Sequence, residues 1–387
     1  MQAFKKYSLL LLFSVFLLAT SVADMFVNSR QFSEMENRYL TQRPQFSLSQ
    51  LFRNEYTPKY EAYINDQFVA RDSWITLKSV SESALGKIEN NGIVYGSNHH
   101  MFEDYRSTDE RRLEQNINFI NAYFQKYLGQ SNFTAAIIPS SYAILDSLVP
   151  QGLQNVDQNK RIQEINSRVP SGVTVWDLFP VMKGAVQKAD AEGIQDPVYY
   201  RTDHHWTTFG AYNAYQSFAQ ARGLKAVDWD SLGPLEHQVP DFYGSYYSKC
   251  KLYSAVPDTI TYFDIPFQSI VIDGEEKPGL YDSSLWDKRD KHAAFLWGNN
   301  GVTVIKSQNN LNAQKGKTTR ILLIKDSYGN SFAPFLTYGY DEVYVVDLRS
   351  MTEKMSDFMA AHSFDDVLLM YSFMNFASDT NISLLTE

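Results

Sequence analysis

Short apolar runs rich in β-forming residues alternate along this chain with segments of helical periodicity. Strands are predicted at 133–139, 172–178, 319–324, 342–346 and 366–370. Helices are predicted near 108–128, 158–168 and 182–192. Continuous apolar runs suit strands that are buried on both faces, and helices are the usual crossovers between parallel strands. The pattern therefore predicts an α/β fold with a mainly parallel sheet flanked by helices.

The amino terminus carries a targeting pattern. Lys5 and Lys6 precede an uncharged run, rich in Leu and Phe, that extends to Ala23. A positive segment followed by an apolar one is typical of a secretory signal peptide, and residues 21–23 fit a cleavage site. The run also approaches the length of about 20 residues that spans a bilayer, so a retained membrane anchor is the alternative. In both cases the rest of the chain is expected outside the cytoplasm, because the lysines stay inside.

Changes of composition divide the chain into three parts. Residues 1–24 are the predicted signal peptide or anchor, and residues 25–90 are a linker followed by a helical stalk. The α/β pattern occupies 91–387 and is interrupted at about 224–300 by an insertion rich in aromatic residues. Short β-rich runs inside that insertion predict antiparallel strands, which we expect to cover the site.

Composition excludes some classes of function. The formal net charge is −9 and the sequence shows no basic cluster, which argues against a nucleic-acid-binding surface. A single cysteine, Cys250, permits neither an internal disulfide nor a cysteine-based metal motif. No cofactor is predicted. Aromatic residues make up 14% of the chain, and most are expected to pack in the core.

The stretch with the most chemistry is Asp203-His204-His205-Trp206, which lies just before a predicted helix. An aspartate two residues from a histidine can accept the imidazole Nδ1–H and leave Nε2 as a general base. This spacing favours His205 over His204. A zinc site formed by Asp203, His204 and His205 is a competing interpretation. We predict no metal, because zinc sites usually need further ligands and no distant histidine stands out.

Ser327 is the candidate nucleophile. It follows the apolar run 319–324 closely and precedes a short predicted helix that Pro334 limits. The order strand, tight turn, serine, helix presents a hydroxyl at the carboxyl end of a parallel sheet. There the start of the helix and the serine N–H favour a developing oxyanion. The alternative is that Asp326 and Ser327 only cap the helix.

These residues resemble a known family. Asp203-His204-His205-Trp206 resembles the motif after which the DHHW protein family is named. The site is also similar to the Asp-x-His-Trp motif of the alginate O-acetyltransferase group (AlgX and AlgJ), whose domain is SGNH hydrolase-like. In that group the acid/base motif precedes the serine, which reverses the usual SGNH order, and this chain has the same reversal. Further matching stretches lie at 33–38, 65–68, 241–248 and 325–328.

The resemblance assigns roles to individual residues. It implies that Ser327 is the nucleophile, that His205 is the base and that Asp203 orients His205. Lys325 departs from the pattern, because SGNH enzymes have a glycine in this place of Gly-Asp-Ser. The residues expected to stabilise the oxyanion or bind substrate are Asn375, Arg201, Trp206 and Tyr328. Alternatives are an ordinary loop role for the asparagine, an ion pair for the arginine and packing under the loop for the tryptophan.

The resemblance implies that the chain is an O-acetyltransferase, which we expect to move an acetyl group outside the cytoplasm, through a serine acyl-enzyme, to an exopolysaccharide or wall glycan. The expected partners are that glycan and a membrane-bound O-acyltransferase as acetyl donor. One alternative is a carbohydrate acetylesterase with the same three residues, in which water replaces the sugar. The other is a non-catalytic surface protein that binds or assembles glycan.

Overall fold

A computed structural model of the chain describes residues 7–24, 26, 28–194 and 198–387. Lys5 and Lys6 of the predicted targeting pattern lie outside these residues. The first helix, Ser8–Asp24, has 17 residues. None of the helices in the described part of the chain is long and apolar enough to cross a lipid bilayer.

The chain divides into two compact units, Met1–Lys87 with Lys251–Ser254 and Ile88–Cys250 with Ala255–Glu387. In the smaller unit, strands β1 (Phe32–Ser33) and β2 (Arg38–Tyr39) pair antiparallel. Three helices occupy the predicted stalk: Leu48–Phe52, Tyr56–Gln67 and Arg71–Ala84. All residues of the predicted site belong to the larger unit.

An ion-pair cluster joins residues 33–38 to residues 65–68 inside the smaller unit. Arg38 donates hydrogen bonds of 2.6 and 2.9 Å to the two carboxylate oxygens of Asp66. This contact lowers the pKa of Asp66. Glu36 accepts a hydrogen bond from Arg71 and lies 3.2 Å from the Lys251 ammonium. These contacts connect residues 33–38 and 65–68 within this unit.

The larger unit contains the remaining strands and helices. Its strands are β3 (Glu89–Asn90), β4 (Ile93–Tyr95), β5 (Met101–Glu103), β6 (Asn132–Ile138), β7 (Thr174–Val175), β8 (Glu236–Phe242), β9 (Asp258–Phe263), β10 (Phe267–Ile272), β11 (Glu275–Lys277), β12 (Val302–Ser307), β13 (Arg320–Lys325), β14 (Glu342–Val346) and β15 (Asp366–Ser372). Its α-helices are Glu110–Tyr127, Ser141–Ile144, Gln158–Asn166, Leu178–Glu192, Thr208–Ala221, Trp229–Leu232, Ser245–Cys250, Gly329–Leu336, Met355–Ala361 and Phe373–Ser378.

An eight-stranded mixed sheet, in the order β11-β10-β12-β14-β13-β15-β6-β7, is the centre of the larger unit. The strands from β14 to β7 in this order are parallel, whereas β12, β10 and β11 add antiparallel pairs at one edge. The sheet is therefore less parallel than predicted. The predicted insertion supplies β10 and β11 to this sheet, and β8 and β9 form a separate antiparallel pair.

The strands predicted at 133–139, 319–324, 342–346 and 366–370 are confirmed as β6, β13, β14 and β15. The strand predicted at 172–178 is reduced to β7, which pairs with β6 over two residues. It ends early because the Asp177 side chain accepts a 3.0 Å hydrogen bond from the Phe179 N–H and starts a helix at Leu178.

The hydrophobic core lies on both faces of the sheet. Successive side chains of a strand point to opposite faces. Accordingly Ile321 and Leu323 pack in one buried apolar cluster, and Leu322 and Ile324 pack in another. The parallel strands end at the same edge, so the loops that follow β13, β14 and β15 meet there. This edge carries the candidate site.

Candidate active site

The Asp203 loop is fixed by a buried carboxylate. Asp258 accepts hydrogen bonds from the Arg201 N–H at 2.8 Å, the Thr202 N–H at 2.9 Å and the Thr202 hydroxyl at 2.6 Å. Beyond the motif, the Thr207 side chain accepts from the Gly210 N–H at 3.2 Å and caps the helix Thr208–Ala221. The loop is therefore held at both ends, so its side chains are aimed by backbone contacts.

The Asp203 carboxylate is buried and fully engaged. Its Oδ1 accepts from the His205 Nδ1–H at 2.6 Å and from the His205 backbone N–H at 2.9 Å. Its Oδ2 accepts from the Ser245 N–H at 2.7 Å. A Cβ at Gly244 would lie 2.2 Å from the Asp203 Cβ, so only glycine permits this approach. Burial opposes ionisation, but His204 and His205 hold the pKa of Asp203 well below its usual value.

His205 connects this carboxylate to the serine. Its Nε2 lies 2.7 Å from the Ser327 Oγ, and its ring is almost completely buried. Because Nδ1 donates to Asp203, Nε2 is the nitrogen that accepts the serine proton. Burial, with a smaller contribution from His204, lowers the pKa of His205 to about 4. The imidazole is therefore neutral at physiological pH and able to take a proton.

His204 has a different environment from His205. Its Nδ1 lies 2.7 Å from the Ser245 hydroxyl, and its side chain is 34% exposed. Burial opposes protonation, but Asp203 raises the pKa of His204. The two imidazoles thus share one carboxylate while only His205 reaches Ser327, as the Asp-x-His spacing predicts.

The serine turn is organised by Asp326. Its Oδ1 accepts from the Tyr328 N–H at 3.1 Å, which holds the turn that leads into the helix Gly329–Leu336. Its Oδ2 accepts from the Ser372 N–H at 2.9 Å, the Ser372 hydroxyl at 2.6 Å and the Asn375 amide at 2.8 Å. The loops after β13 and β15 are therefore locked together beneath Ser327.

Lys325, the residue that replaces the expected glycine, points into a buried ion pair. Its ammonium lies 3.0 Å from Asp347 Oδ2 and 3.2 Å from Asn299 Oδ1. Asp347 also accepts two hydrogen bonds from the Arg349 guanidinium, at 2.8 and 2.6 Å. The lysine stem packs against Gly329, where a Cβ would meet the Lys325 Cβ at 2.7 Å. The lysine that replaces the glycine of Gly-Asp-Ser is thus accommodated by contacts with Asp347 and Asn299.

Three of the residues predicted to bind substrate, Trp206, Arg201 and Tyr328, contact other parts of the protein. Trp206 is completely buried, and its indole N–H donates to the Tyr328 carbonyl at 3.0 Å. It packs under the serine loop, which agrees with the packing alternative. The Arg201 guanidinium lies 3.8 Å from Asp258, which agrees with the ion-pair alternative. Tyr328 is also almost fully buried, and its hydroxyl donates to the His204 carbonyl.

Asn375 lies beside the serine turn, but its amide donates to Asp326. The same amide carries a second N–H besides the one that donates to Asp326. A cavity of about 290 Å³ lies next to these groups. Its lining includes His204, Ser245, Tyr246, Tyr328, Ser372 and Asn375. The cavity thus brings two of the predicted substrate-binding residues, Tyr328 and Asn375, to one space.

His292 is a site residue that sequence patterns did not indicate. It lies in the predicted insertion, in a short 3-10 segment at Lys291–Ala294, and its ring stacks on His205. The ring centroids are 3.8 Å apart and the planes differ by 4°. No spacing to an acid or a serine marks this histidine in the sequence, so only the fold brings it to the site.

A metal ion is the remaining interpretation of the motif. Asp203, His204 and His205 each offer one ligand atom, and these atoms lie within 4.8 Å of one another. The same atoms make the contacts with one another, with Ser245 and with Ser327 given above. A series of hydrogen bonds that ends on a serine hydroxyl is the arrangement of nucleophilic catalysis.

Solved structures resemble this chain to different degrees. A DHHW family protein from Eubacterium siraeum DSM 15702 is 19% identical, with a TM-score of 0.64, over 78% of this chain and 97% of that chain. Bacillus cereus PatB1 with a sulfonyl adduct is 20% identical, with a TM-score of 0.58, and the match covers 75% of this chain and 96% of that chain. The O-acetyltransferase domain of Pseudomonas putida AlgJ is 15% identical, with a TM-score of 0.44, and the match covers 76% of this chain and 98% of that chain. At identities this low, the TM-scores of the Eubacterium siraeum protein and of PatB1 show a common fold alone.

Comparison with curated protein sequences gave no match. The family model described as DHHW protein matches residues 79–346, which include the Asp203 motif and Ser327. The chain belongs to the DHHW protein family.

Proposed function

We propose that this protein is an O-acetyltransferase that works through an acetyl-serine at Ser327. The observation that carries the proposal is the hydrogen-bonded series from Asp203 through His205 to Ser327, with distances of 2.6 and 2.7 Å. This is the arrangement in which a buried acid orients an imidazole and the imidazole activates a hydroxyl. The SGNH-like interpretation of the fold and the motif resemblance to the alginate O-acetyltransferase group support the same chemistry.

The reaction has two steps. In the first, the Ser327 hydroxyl gives its proton to His205 Nε2 while Oγ attacks the acetyl carbonyl carbon. The tetrahedral intermediate expels the donor's leaving group, which takes the proton from His205. In the second, a sugar hydroxyl gives its proton to His205 and attacks the acetyl-serine carbonyl. Collapse of that intermediate returns the proton to Ser327 and releases the acetylated glycan.

The surroundings of the serine have separate tasks in this mechanism. The Ser327 N–H, just before the helix Gly329–Leu336, is proposed to stabilise the oxyanion. Asn375 is proposed to help from the cavity side. Asp203 stabilises the imidazolium that forms at His205 in each step. The targeting pattern at the amino terminus places the reaction outside the cytoplasm in this proposal. The proposed donor is a membrane-bound O-acyltransferase and the proposed acceptor is an exopolysaccharide or wall glycan.

Trapping of the acyl-enzyme tests the proposal. The protein is incubated with nitrophenyl acetate, quenched in acid, digested and analysed by mass spectrometry. We expect acetylation of the peptide that contains Ser327, and loss of this signal after treatment with a sulfonyl fluoride that modifies the serine. Turnover of the ester without any acetyl-serine, or with the acetyl group on another residue, would contradict the proposal.

A second measurement separates the transferase from the esterase. Acetylated glycan and free acetate are both quantified after addition of an oligosaccharide acceptor. The transferase forms acetylated glycan at the expense of acetate, whereas an esterase releases acetate at a rate that the acceptor does not change. The same assay after dialysis against a chelator tests the metal interpretation, since the serine mechanism is expected to keep its full rate.

The acid limb of the pH–rate profile is expected at unusually low pH. A general base must be unprotonated, and burial lowers the pKa of His205 to about 4. Esterase kcat/KM should therefore stay nearly constant from about pH 5 to pH 7, although an ordinary histidine titrates near about 6.5. Circular dichroism over the same range controls for unfolding. An acid limb centred near the ordinary value would contradict this prediction.

A further inference from the structure

The His292 ring is held in place by an apolar cluster. The Tyr200 ring meets it edge-on, with centroids 6.4 Å apart, and the Phe295 ring lies 5.3 Å away. Tyr200 and Phe295 belong to one buried cluster together with Phe242 and Ile260. The segment that precedes the Asp203 motif and the insertion that carries His292 are therefore packed together.

The buried position of His292 leaves one of its ring nitrogens unsatisfied. His292 is only 4% exposed, and its Nε2 is buried without a hydrogen-bond partner among the described residues. Leaving a buried polar atom unsatisfied costs about 1–3 kcal/mol. Burial, followed by the proximity of His205, lowers the pKa of His292 well below its usual value. The ring is thus a neutral imidazole, which avoids two cations at a separation of 3.8 Å.

The His205 ring needs support of this kind. The torsion that sets the plane of a histidine ring is broad, so the rotamer alone leaves the plane poorly defined. The Nδ1 hydrogen bond to Asp203 fixes one edge of the ring. A parallel partner ring opposes rotation about that edge, which would carry Nε2 away from the Ser327 oxygen. A neutral aromatic face can also attract the positive charge that His205 acquires during the reaction.

We propose that His292 is a positioning residue, whose stacked ring keeps the His205 imidazole in line with Ser327. The inference rests on the proposed acyl transfer at Ser327. It assigns part of the site to the insertion, which contributes the ring through the segment Lys291–Ala294. It also assigns the unsatisfied Nε2 no direct contact with substrate, so a ring without nitrogen should do the same work.

Two substitutions separate the ring from its nitrogen. His292→Ala removes the stack, and His292→Phe keeps a flat ring of similar position without an ionisable group. We expect His292→Ala to lower kcat for nitrophenyl acetate by about 10²-fold, because a misplaced base is costly even when KM is unchanged. We expect His292→Phe to recover most of this loss. Removal of the unsatisfied nitrogen should leave the thermal stability of His292→Phe equal to or above that of the wild type.

His237 provides a matched control. It is another histidine of the insertion with a stacked aromatic partner, Tyr262, at a centroid distance of 5.0 Å, and it is exposed. His237→Ala is expected to keep the wild-type rate. The pH–rate profile adds a readout that general destabilisation would not move. Water reaching His205 in His292→Ala should raise its pKa and shift the acid limb to higher pH.

Three outcomes would overturn the inference. A His292→Ala variant with wild-type kcat would show that the ring is dispensable. A His292→Phe variant as slow as His292→Ala would show that the nitrogen, and not the stack, is required. The third outcome is independent of activity: a crystal structure of His292→Ala in which His205 Nε2 remains hydrogen-bonded to Ser327. If the wild type neither hydrolyses esters nor forms acetyl-serine, the proposed function fails, and this crystal structure still decides the positioning role.

Discussion

Ser327→Ala is expected to reduce ester turnover by about 10⁴- to 10⁶-fold, and His205→Ala is expected to do the same. The two residues act as one catalytic unit, because the Nε2–Oγ distance of 2.7 Å allows direct proton transfer between them. Removal of either leaves the other without a role. The double variant should therefore be about as slow as each single variant, with no further loss. Initial rates with nitrophenyl acetate, corrected for spontaneous hydrolysis, measure all three.

His204→Ala tests whether the loss of activity is specific to the His205–Ser327 pair or follows from removing any imidazole of the motif. His204 has the same carboxylate neighbour, but its contact is with Ser245. We expect a loss of less than about tenfold, consistent with a group outside the proton-transfer step. Thermal unfolding of each variant confirms that the fold is retained. A Ser327→Ala variant that keeps a tenth or more of the activity, or a double variant far slower than both singles, would refute the mechanism.

Local sequence is sufficient to predict the strands that position the site and the contact of His205 with Asp203. The buried strands β6, β13, β14 and β15 are continuous apolar runs, and parallel strands place the loops that follow them at one edge of the sheet. The Asp-x-His spacing predicts the contact of His205 with Asp203, because it depends on only a few consecutive residues. The meeting of this loop with Ser327 required one further inference, that both segments lie at the same edge.

Long-range packing decides what the sequence did not predict. The sequence leaves Trp206 open between substrate binding and packing under the loop, and its buried indole N–H donates to the Tyr328 carbonyl. The sequence leaves Asn375 open between an oxyanion role and an ordinary loop role, and no sequence spacing reveals its contact with Asp326. His292 was missed because it reaches His205 through the tertiary arrangement of the insertion. The antiparallel edge strands were likewise not expected to join the main sheet, since pairing between distant segments is invisible to local periodicity.

Asp347→Ala is expected to destabilise the protein by about 3–5 kcal/mol. Asp347 is fully buried, and it balances the charge of Lys325, whose side chain is 2% exposed. Loss of the carboxylate leaves a buried ammonium with the Asn299 oxygen as its remaining polar contact in the described structure. Arg349 also loses Asp347 as its partner, but its side chain is one-third exposed, so water solvates the guanidinium. Urea unfolding followed by tryptophan fluorescence measures the change.

The matched control is Glu114→Ala, which removes the partner of Arg168 from an exposed pair with similar distances of 2.7 and 2.6 Å. Water replaces that contact, so we expect a loss much smaller than that of Asp347→Ala. A second comparison tests the charge itself: Lys325→Met combined with Asp347→Leu removes both ions and should recover most of the stability lost in Asp347→Ala.

The pH dependence of Asp347→Ala follows from the same burial. Burial lowers the pKa of Lys325, and removal of Asp347 eliminates the main opposing interaction. The unfolded state then binds more protons than the folded state between the depressed pKa and the ordinary value near about 10.4. The destabilisation should therefore shrink as the pH rises from 7 towards 10, because the buried amine becomes neutral. A loss of stability that is independent of pH, or equal to that of Glu114→Ala, would show that the lysine does not depend on Asp347. The lysine that replaces glycine before Asp326 and Ser327 would then be tolerated for another reason.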